Sequence, residues 1–263
     1  MAITIGYKFG SFDLDSTNGI TLESVAPTIV KRARYKTSIS GKGANIQSDR
    51  RDGIRVAVKG SVLGSDDEDA RTKSDALFAA LTNGEQALRL WTDREILCRV
   101  ERDFKTKFVK GSTMSVVEFS ATFRSTRPWW RSTTVLSDSW TVSGSPQQKL
   151  LTADTGNAPT YPTISITNNG TTFTDKYIWL TNLSTEQQLG LQGVSIGSGE
   201  TLTIDFDAGR LGTGSTQDQR PSQVDGEFFS LSAGVANTLE LVTDVTSPSF
   251  GVAISWYPSH WRP

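Results

Sequence analysis

Of the side chains that serve as nucleophiles, general bases or soft metal ligands, the 263-residue chain holds one histidine, His260, and one cysteine, Cys98. A Ser-His-Asp or Cys-His device would have to be built on His260, close to the end of the sequence, where order is least assured. A lone cysteine makes no internal disulfide and supplies no set of thiolates for zinc. Carboxylates are more plentiful. Glu200, Asp205 and Asp207 come nearest to a hydrolytic pair, with Asp205 and Asp207 on one face, but no second motif joins them and surface acids often imitate such pairs. Asp66 to Asp69 lack the alternating oxygen ligands and central glycine of a calcium loop, and fit the start of a helix instead. The expectation is a chain with no catalytic residue, no metal site and no cofactor.

The remaining chemistry is that of contact. Between residues 31 and 51 lie Lys31, Arg32, Arg34, Lys36, Lys42, Arg50 and Arg51, set against a single acid, Asp49, and broken by Gly41-Lys42-Gly43. Such a segment cannot bury itself in its own domain, so it is either a solvated loop or it reaches onto something acidic. Nucleic acid is one candidate, yet Tyr35 is the one aromatic there for base stacking and the whole chain carries a net charge of −1. Contact with another copy of the protein fits better. A second contact candidate is Tyr177-Ile178-Trp179-Leu180, apolar on both faces of a strand. One face must meet a second layer, and Tyr177 and Trp179 on the other could stack on a sugar ring or pack against protein.

Two bodies must position these groups. Residues 1–135 hold 22 of the 27 Lys and Arg and 16 of the 28 Asp and Glu, leaving that part at +6 and the remainder at −7. The seam falls at Arg127-Pro128-Trp129-Trp130, where Pro128 removes a backbone donor and Trp129 and Trp130 can pack one body against another. Domains of 1–131 and 132–263 follow, each long enough for its own core. No stretch approaches the roughly 20 apolar residues of a membrane helix, and Met1 to Gly10 lacks the features of a signal peptide, so synthesis in the cytoplasm and no membrane insertion are expected.

In the first body the alternation of Tyr7 and Phe9, of Ile54, Val56, Val58 and Val62, and of Val117, Phe119, Ala121 and Phe123 predicts antiparallel strands. Asn18-Gly19 suits a tight hairpin turn. One helix is expected at about 65–82, capped by Ser65 with Glu68, striped by Ala70, Leu77, Phe78 and Leu81, and left through Asn83-Gly84. The second body shows many short strands and turns such as Asn168-Asn169-Gly170, which argue for a sandwich or jelly roll, with Gly209 to Gln223 as a long surface loop and Trp256 in the core. The fold class is mainly β: a sandwich-like domain with one helix, then a second β-sandwich.

Three segments add a resemblance: Asn157 to Pro162 followed by Ile164 and Ile166; Gly199-Glu200-Thr201-Leu202-Thr203-Ile204-Asp205; and Phe229 to Asn237. With the order of strand 54–62, capped helix, strand 113–124 and aromatic seam, the chain resembles siphophage distal tail proteins over nearly its whole length. The resemblance implies a structural virion protein and no enzyme: a baseplate hub, with six copies forming a ring at the distal end of the tail and a galectin-like second domain outside it. It implies partners in the tail tube protein and the tail-associated hub protein below, and in receptor-binding proteins or tail fibres used in host attachment. DNA would pass through the lumen without sequence-specific binding. The basic residues 31–51 then become candidates for inter-subunit contact. A carbohydrate-binding module of a tail-tip adsorption protein is the alternative.

Overall fold

Period-two alternation builds the first sheet. Ile54, Val56, Val58 and Val62 are at most 1 % exposed, and their partners Val117, Phe119, Ala121 and Phe123 are buried beside them. The computed structural model describes residues 7–37, 44–101, 104–110, 115–125, 127–213 and 224–262, with backbone alone described at 29–37, 44–52, 110 and 213. The chain forms two units, Met1–Arg131 with Trp261–Pro263, and Ser132–His260.

The first unit carries β1 (Lys8–Phe9), β2 (Phe12–Asp13), β3 (Ile20–Thr37), β4 (Ala44–Gly64), α1 (Asp67–Leu81), β5 (Gln86–Arg89), β6 (Arg94–Val100), β7 (Lys105–Lys110), β8 (Ser115–Ser125) and the start of β9 (Trp130–Ser132). The sheet runs β2-β1-β5-β6-β8-β4-β3, with β7 also on β8. Register matches large to small: Gly60 faces Phe119 and Ala121 faces Val58 across β4 and β8. A Cβ at Gly60 would stand 3.0 Å from the Phe119 ring, so the missing side chain is the room that ring occupies.

Helix α1 covers this sheet with Ala70, Leu77 and Leu81, all buried. The cap differs from the expected one. Asp66, in extended conformation, accepts from the Asp69 amide at 2.8 Å, while the Asp69 carboxylate accepts from the Ser65 amide at 2.8 Å. The reciprocal box is thus built one residue later, on a carboxylate, which caps as well as a hydroxyl. Lys73, one turn on, donates to Asp69 at 2.8 Å and is the leading cause that holds its carboxyl below the usual range, with the Ser65 amide second. Phe78 leaves the expected stripe: it is 51 % exposed and lies against Phe104 at 5.6 Å. At the other end Gly84 adopts φ of 80°, the left-handed exit that Asn83-Gly84 predicts. Asn18-Gly19 does not close a two-residue hairpin; Ser16–Asn18 form a short 3-10 turn that Asp15 caps and Gly19 ends at φ 67°.

The second unit is a sandwich of two five-stranded antiparallel sheets. Its strands are β10 (Leu136–Val142), β11 (Gln147–Leu150), β12 (Thr163–Asn168), β13 (Phe173–Asn182), β14 (Gln187–Ile196), β15 (Thr201–Asp205), β16 (Arg210–Thr213), β17 (Val224–Gly226), β18 (Thr238–Thr243) and β19 (Phe250–Trp256); the short β20 (Ser259–His260) lies outside both sheets. One sheet is ordered β10-β19-β12-β15-β16 and the other β11-β18-β13-β14-β17. Ile164, Ile166, Val252 and Ile254 from the first meet Ile178, Leu180, Leu189 and Leu241 from the second. Full burial of each such side chain contributes roughly 1.5–3 kcal/mol. Trp256 is 1 % exposed, within this core. The expected loop at Gly209 to Gln223 begins instead as β16, whose Leu211 pairs with Ile204; residues 214–223 lie outside the described residues.

Candidate functional site

The basic segment falls on the outer reach of the β3–β4 hairpin. Strand β4 pairs with β8 only from Gly64 back to Ile54, opposite Ser125, while its pairing with β3 continues to Ala44 opposite Thr37. Beyond Ile54 the hairpin is therefore a two-stranded ribbon with no third strand among the described residues. Register sets Lys31 opposite Arg51 and Arg32 opposite Arg50, with Arg34 opposite Ser48 and Lys36 opposite Asn45. Like charges at directly opposed positions disfavour pairing, and a two-stranded ribbon is marginal by itself. Lys42 lies outside the described residues.

The aromatic residues at the seam have neighbours inside the first unit. Trp130, 1 % exposed, meets Trp91 edge-on with ring centroids 5.0 Å apart, and Trp129 meets Trp261 at 6.0 Å and 82°. Pro128 is half-buried. Arg131, next along the chain, closes on Glu95 at 2.7 Å, and Arg89 approaches the same carboxylate at 3.4 Å. Glu95 is 7 % exposed, so this charge is removed from water with two guanidiniums to balance it. Also in this unit, Phe78, Leu81, Val100 and Phe104 floor a cavity of about 370 Å³ with Arg99 and Glu101 among its lining residues. Neither this groove nor the Glu95 pairing has a marker that sequence periodicity could reveal, because both join residues distant in the chain.

On β13, Ile178 and Leu180 point into the core while Tyr177 is 37 % exposed and Trp179 half-buried, the two-faced strand the sequence predicts. The Tyr177 amide donates to Asp244 at 2.9 Å, and its carbonyl accepts from Thr243 Oγ1 at 2.8 Å. Trp179 lies over Gly190 of β14, its cross-strand partner.

Two of the three carboxylates singled out for hydrolysis, Asp205 and Glu200, are turn acceptors. Asp205 takes hydrogen bonds from the amides of Asp207 at 3.0 Å and Ala208 at 2.9 Å, and Glu200 takes one from Gly197 at 2.8 Å. His260 is 9 % exposed and sits close enough to Asp154 to influence its charge. Cys98 is 1 % exposed and burial pushes its thiol far up, which leaves little reactive thiolate. No group of three or more His, Cys, Asp or Glu able to hold a metal occurs among the described residues.

Asp154 is the one buried carboxyl with a perturbed proton affinity in the second unit's described residues. It is 2 % exposed, accepts from the Gly156 amide at 3.0 Å, and leaves Oδ2 without a hydrogen bond. Desolvation raises its pKa above the ordinary 3.8, against the lowering effects of Gly156, Thr160 and His260. The folded chain thus holds this proton more tightly than the unfolded one. Its contribution to stability is complete below pH 3.8 and is lost as pH rises through the folded value. Asp154→Asn should remove that part of the slope and raise stability at neutral pH. Urea midpoints between about pH 3 and 7 measure it; an unchanged slope in the variant would show that Asp154 is not the group responsible.

No family model matches the sequence. No curated relative matches it either. Among solved structures, the chain is similar to the SPP1 Dit (gp 19.1) protein, a paradigm of the hub adsorption apparatus in phages that infect Gram-positive bacteria. The TM-score is 0.64 at 18 % identity, over 97 % of this chain and 98 % of that one. It is also similar to a chain of the phage p2 baseplate in its activated conformation with Sr, with TM-score 0.51 at 12 % identity over 94 % and 97 % of the two chains. At these identities the likeness is one of fold, and it runs through both units.

Proposed function

We propose that the protein is a structural component of a long-tailed phage virion, a distal tail hub whose first unit closes into a six-membered ring between the tail tube and the tail tip. The observation that carries this reading is the likeness of nearly the whole chain to a hub adsorption protein. The basic ribbon supports it from physics. A ring needs head-to-tail contacts in which two unlike patches meet. The ribbon, with like charges opposed on its two strands, gains stability when it lies on an acidic surface of a neighbouring copy or an adjacent ring. The groove floored by Phe78 and Phe104 offers the first unit an apolar surface of the other kind.

The inter-subunit contacts we assign are Lys31, Arg32, Arg34, Lys36, Lys42, Arg50 and Arg51. With those charges engaged by protein, the lumen face is neutral or acidic, and DNA slides through without sequence-specific binding. The second unit, within the −7 part of the chain, keeps the rim soluble and attracts basic surfaces of receptor-binding proteins or fibres. No catalytic step is needed.

Native mass spectrometry of the purified chain should give six copies; a monomer at every concentration, with and without a tail tube protein as template, overturns the reading. Replacing Arg32, Arg34 and Lys36 together by serine should lower the ring fraction by about tenfold or more. The wild-type ring itself should weaken as salt rises, because the contacts are partly exposed ion pairs. A variant that assembles like wild type removes the ribbon from the interface.

A further inference from the structure

We infer that two opposite faces of the first unit meet between neighbouring copies: the exposed stripe of α1 on one copy lies across a row of arginines on the next. The inference rests on the ring reading and adds to it the surfaces in contact. Alternation in β4 turns Ile54 and Val56 into the core with α1, so Arg55 points from the face that the helix leaves bare. Register sets Arg55 opposite Arg124 and Arg124 opposite Arg99, which brings three guanidinium side chains abreast on adjacent strands. Directly opposed like charges weaken a sheet. Glu101 is the carboxylate within reach: Arg55 donates to it through Nε at 3.2 Å and Nη2 at 3.0 Å, and Arg124 stands 3.8 Å away. Arg99 is exposed and pairs with no carboxylate among the described residues. Two rungs on, Lys105 and Lys59 flank Ser120 on the same face. The row therefore holds more positive charge than its own unit balances, which calls for acids from outside.

The counterpart is on α1. A repeat of 3.6 residues turns Glu68, Thr72, Asp75, Ala76 and Ala79 to one side, away from the buried Ala70, Leu77 and Leu81, and all five are exposed. Glu68 and Asp75 make no ion pair with a described residue. The dimensions agree. Seven residues of helix separate the two acids by about 10.5 Å along the axis. Three strands at roughly 4.8 Å spacing carry the arginine row over about 10 Å. A neighbour's helix laid across the strands sets Glu68 and Asp75 at the two ends of the row, with Arg124 between them. Ala76 and Ala79 on the helix, and the paired Ala26 and Ala57 on the sheet, let the two backbones approach closely. Each sheet is then covered by its own helix on one face and by the next copy's on the other, in the layered manner of packed domains.

These patches are unlike and lie on opposite sides of one unit, which a head-to-tail contact needs and a two-fold contact does not. Duplex DNA is a poorer occupant of the row, because Glu101 and Glu118 stand among the cations and would face its phosphates.

Two paired reversals in the full-length protein test the contact: Arg99→Glu with Arg124→Glu on the sheet, and Glu68→Arg with Asp75→Arg on the helix. Each pair alone should lower the ring fraction in native mass spectrometry by about tenfold or more. An equimolar mixture of the two variants should restore it, with both in one ring in alternation. The unchanged helix of the first finds the unchanged sheet of the second, and the two reversed surfaces find each other. Slow thiol labelling of the buried Cys98 reports an intact core in each variant. Where a reversal opens that core, Arg99→Gln with Arg124→Gln and Glu68→Gln with Asp75→Gln carry the test, each expected to weaken assembly severalfold. A variant that assembles like wild type, a mixture that stays unassembled, or duplex DNA held through Arg99 and Arg124 overturns the contact. If the wild type still forms rings, those results leave the hub reading standing; a wild type that stays monomeric overturns both.

Discussion

Changing Gly64 to valine should open the first unit, at a cost of about 3–5 kcal/mol, comparable to truncating a large core side chain. Gly64 ends β4 opposite Ser115, where the sheet passes under the first turn of α1. A Cβ there would stand 2.3 Å from the Ala70 amide nitrogen and 2.6 Å from its Cα and Cβ. These are mainly atoms of a helix backbone, and no rotamer change moves them. The helix must lift from the sheet and surrender the burial of Ala70, Leu77 and Leu81. The two units need not unfold together, so a single global transition would blur the effect. Cys98 offers a local reading: it is buried in the first core, and a thiol reagent reaches it only when that core opens. The labelling rate should rise by about a hundredfold or more, the factor that corresponds to roughly 3 kcal/mol. Gly144→Ala is the control, because a Cβ there meets nothing within 4 Å. Wild-type labelling in Gly64→Val would mean that the helix contact is not held this tightly.

What the sequence made legible is what depends on neighbours along the chain. Alternation placed Val56, Val58, Phe119 and Phe123 inward, and acids before an apolar stripe marked α1. Partners brought from afar were hidden. Phe78 has the helical spacing of a core residue, yet it stays half-exposed and meets the Phe104 ring at its side. Asp205 and Asp207 looked like paired acids because strand periodicity was extended past the end of β15, where a turn begins. The ribbon was legible as a basic excess, but the opposition of Lys31 to Arg51 depends on register shifts at Val30/Lys31 and Arg34/Tyr35 that no composition reveals. Trp179 was visible as a two-faced strand residue; Gly190 as its seat was not, because bulges between Phe173 and Ile178 set that pairing.

Asn237 stands out in the sequence only within the Phe229 to Asn237 segment, and the structure gives it a task whose loss should cost the second unit several kcal/mol. It is 1 % exposed. Its Oδ1 accepts from the Ser232 amide at 2.8 Å and from Asn182 Nδ2 at 3.1 Å, while its Nδ2 donates to the carbonyls of Ser232 at 3.1 Å and Val235 at 3.2 Å. Asn182, fully buried, donates also to Ser230 and accepts from Ser184. Two loops that could not otherwise bury their polar backbone are thereby tied over the end of the sandwich. Asn237→Leu keeps the volume and removes the partner of the half-buried Ser232 amide and carbonyl and one acceptor of Asn182 Nδ2, while the Val235 carbonyl keeps the Asp154 amide at 3.1 Å. Each lost partner costs roughly 1–3 kcal/mol, and shared relaxation and access to water bring the expected total to about 3 kcal/mol. Asn237→Asp should cost less at low pH than at neutral pH: its carboxyl must carry a proton to approach the Ser232 and Val235 carbonyls without repulsion. Urea midpoints of the two variants measure both effects. A leucine variant within about 1 kcal/mol of wild type would show that the loops rest on apolar packing by Phe229 and Leu231, and that the amide network adds order without adding stability.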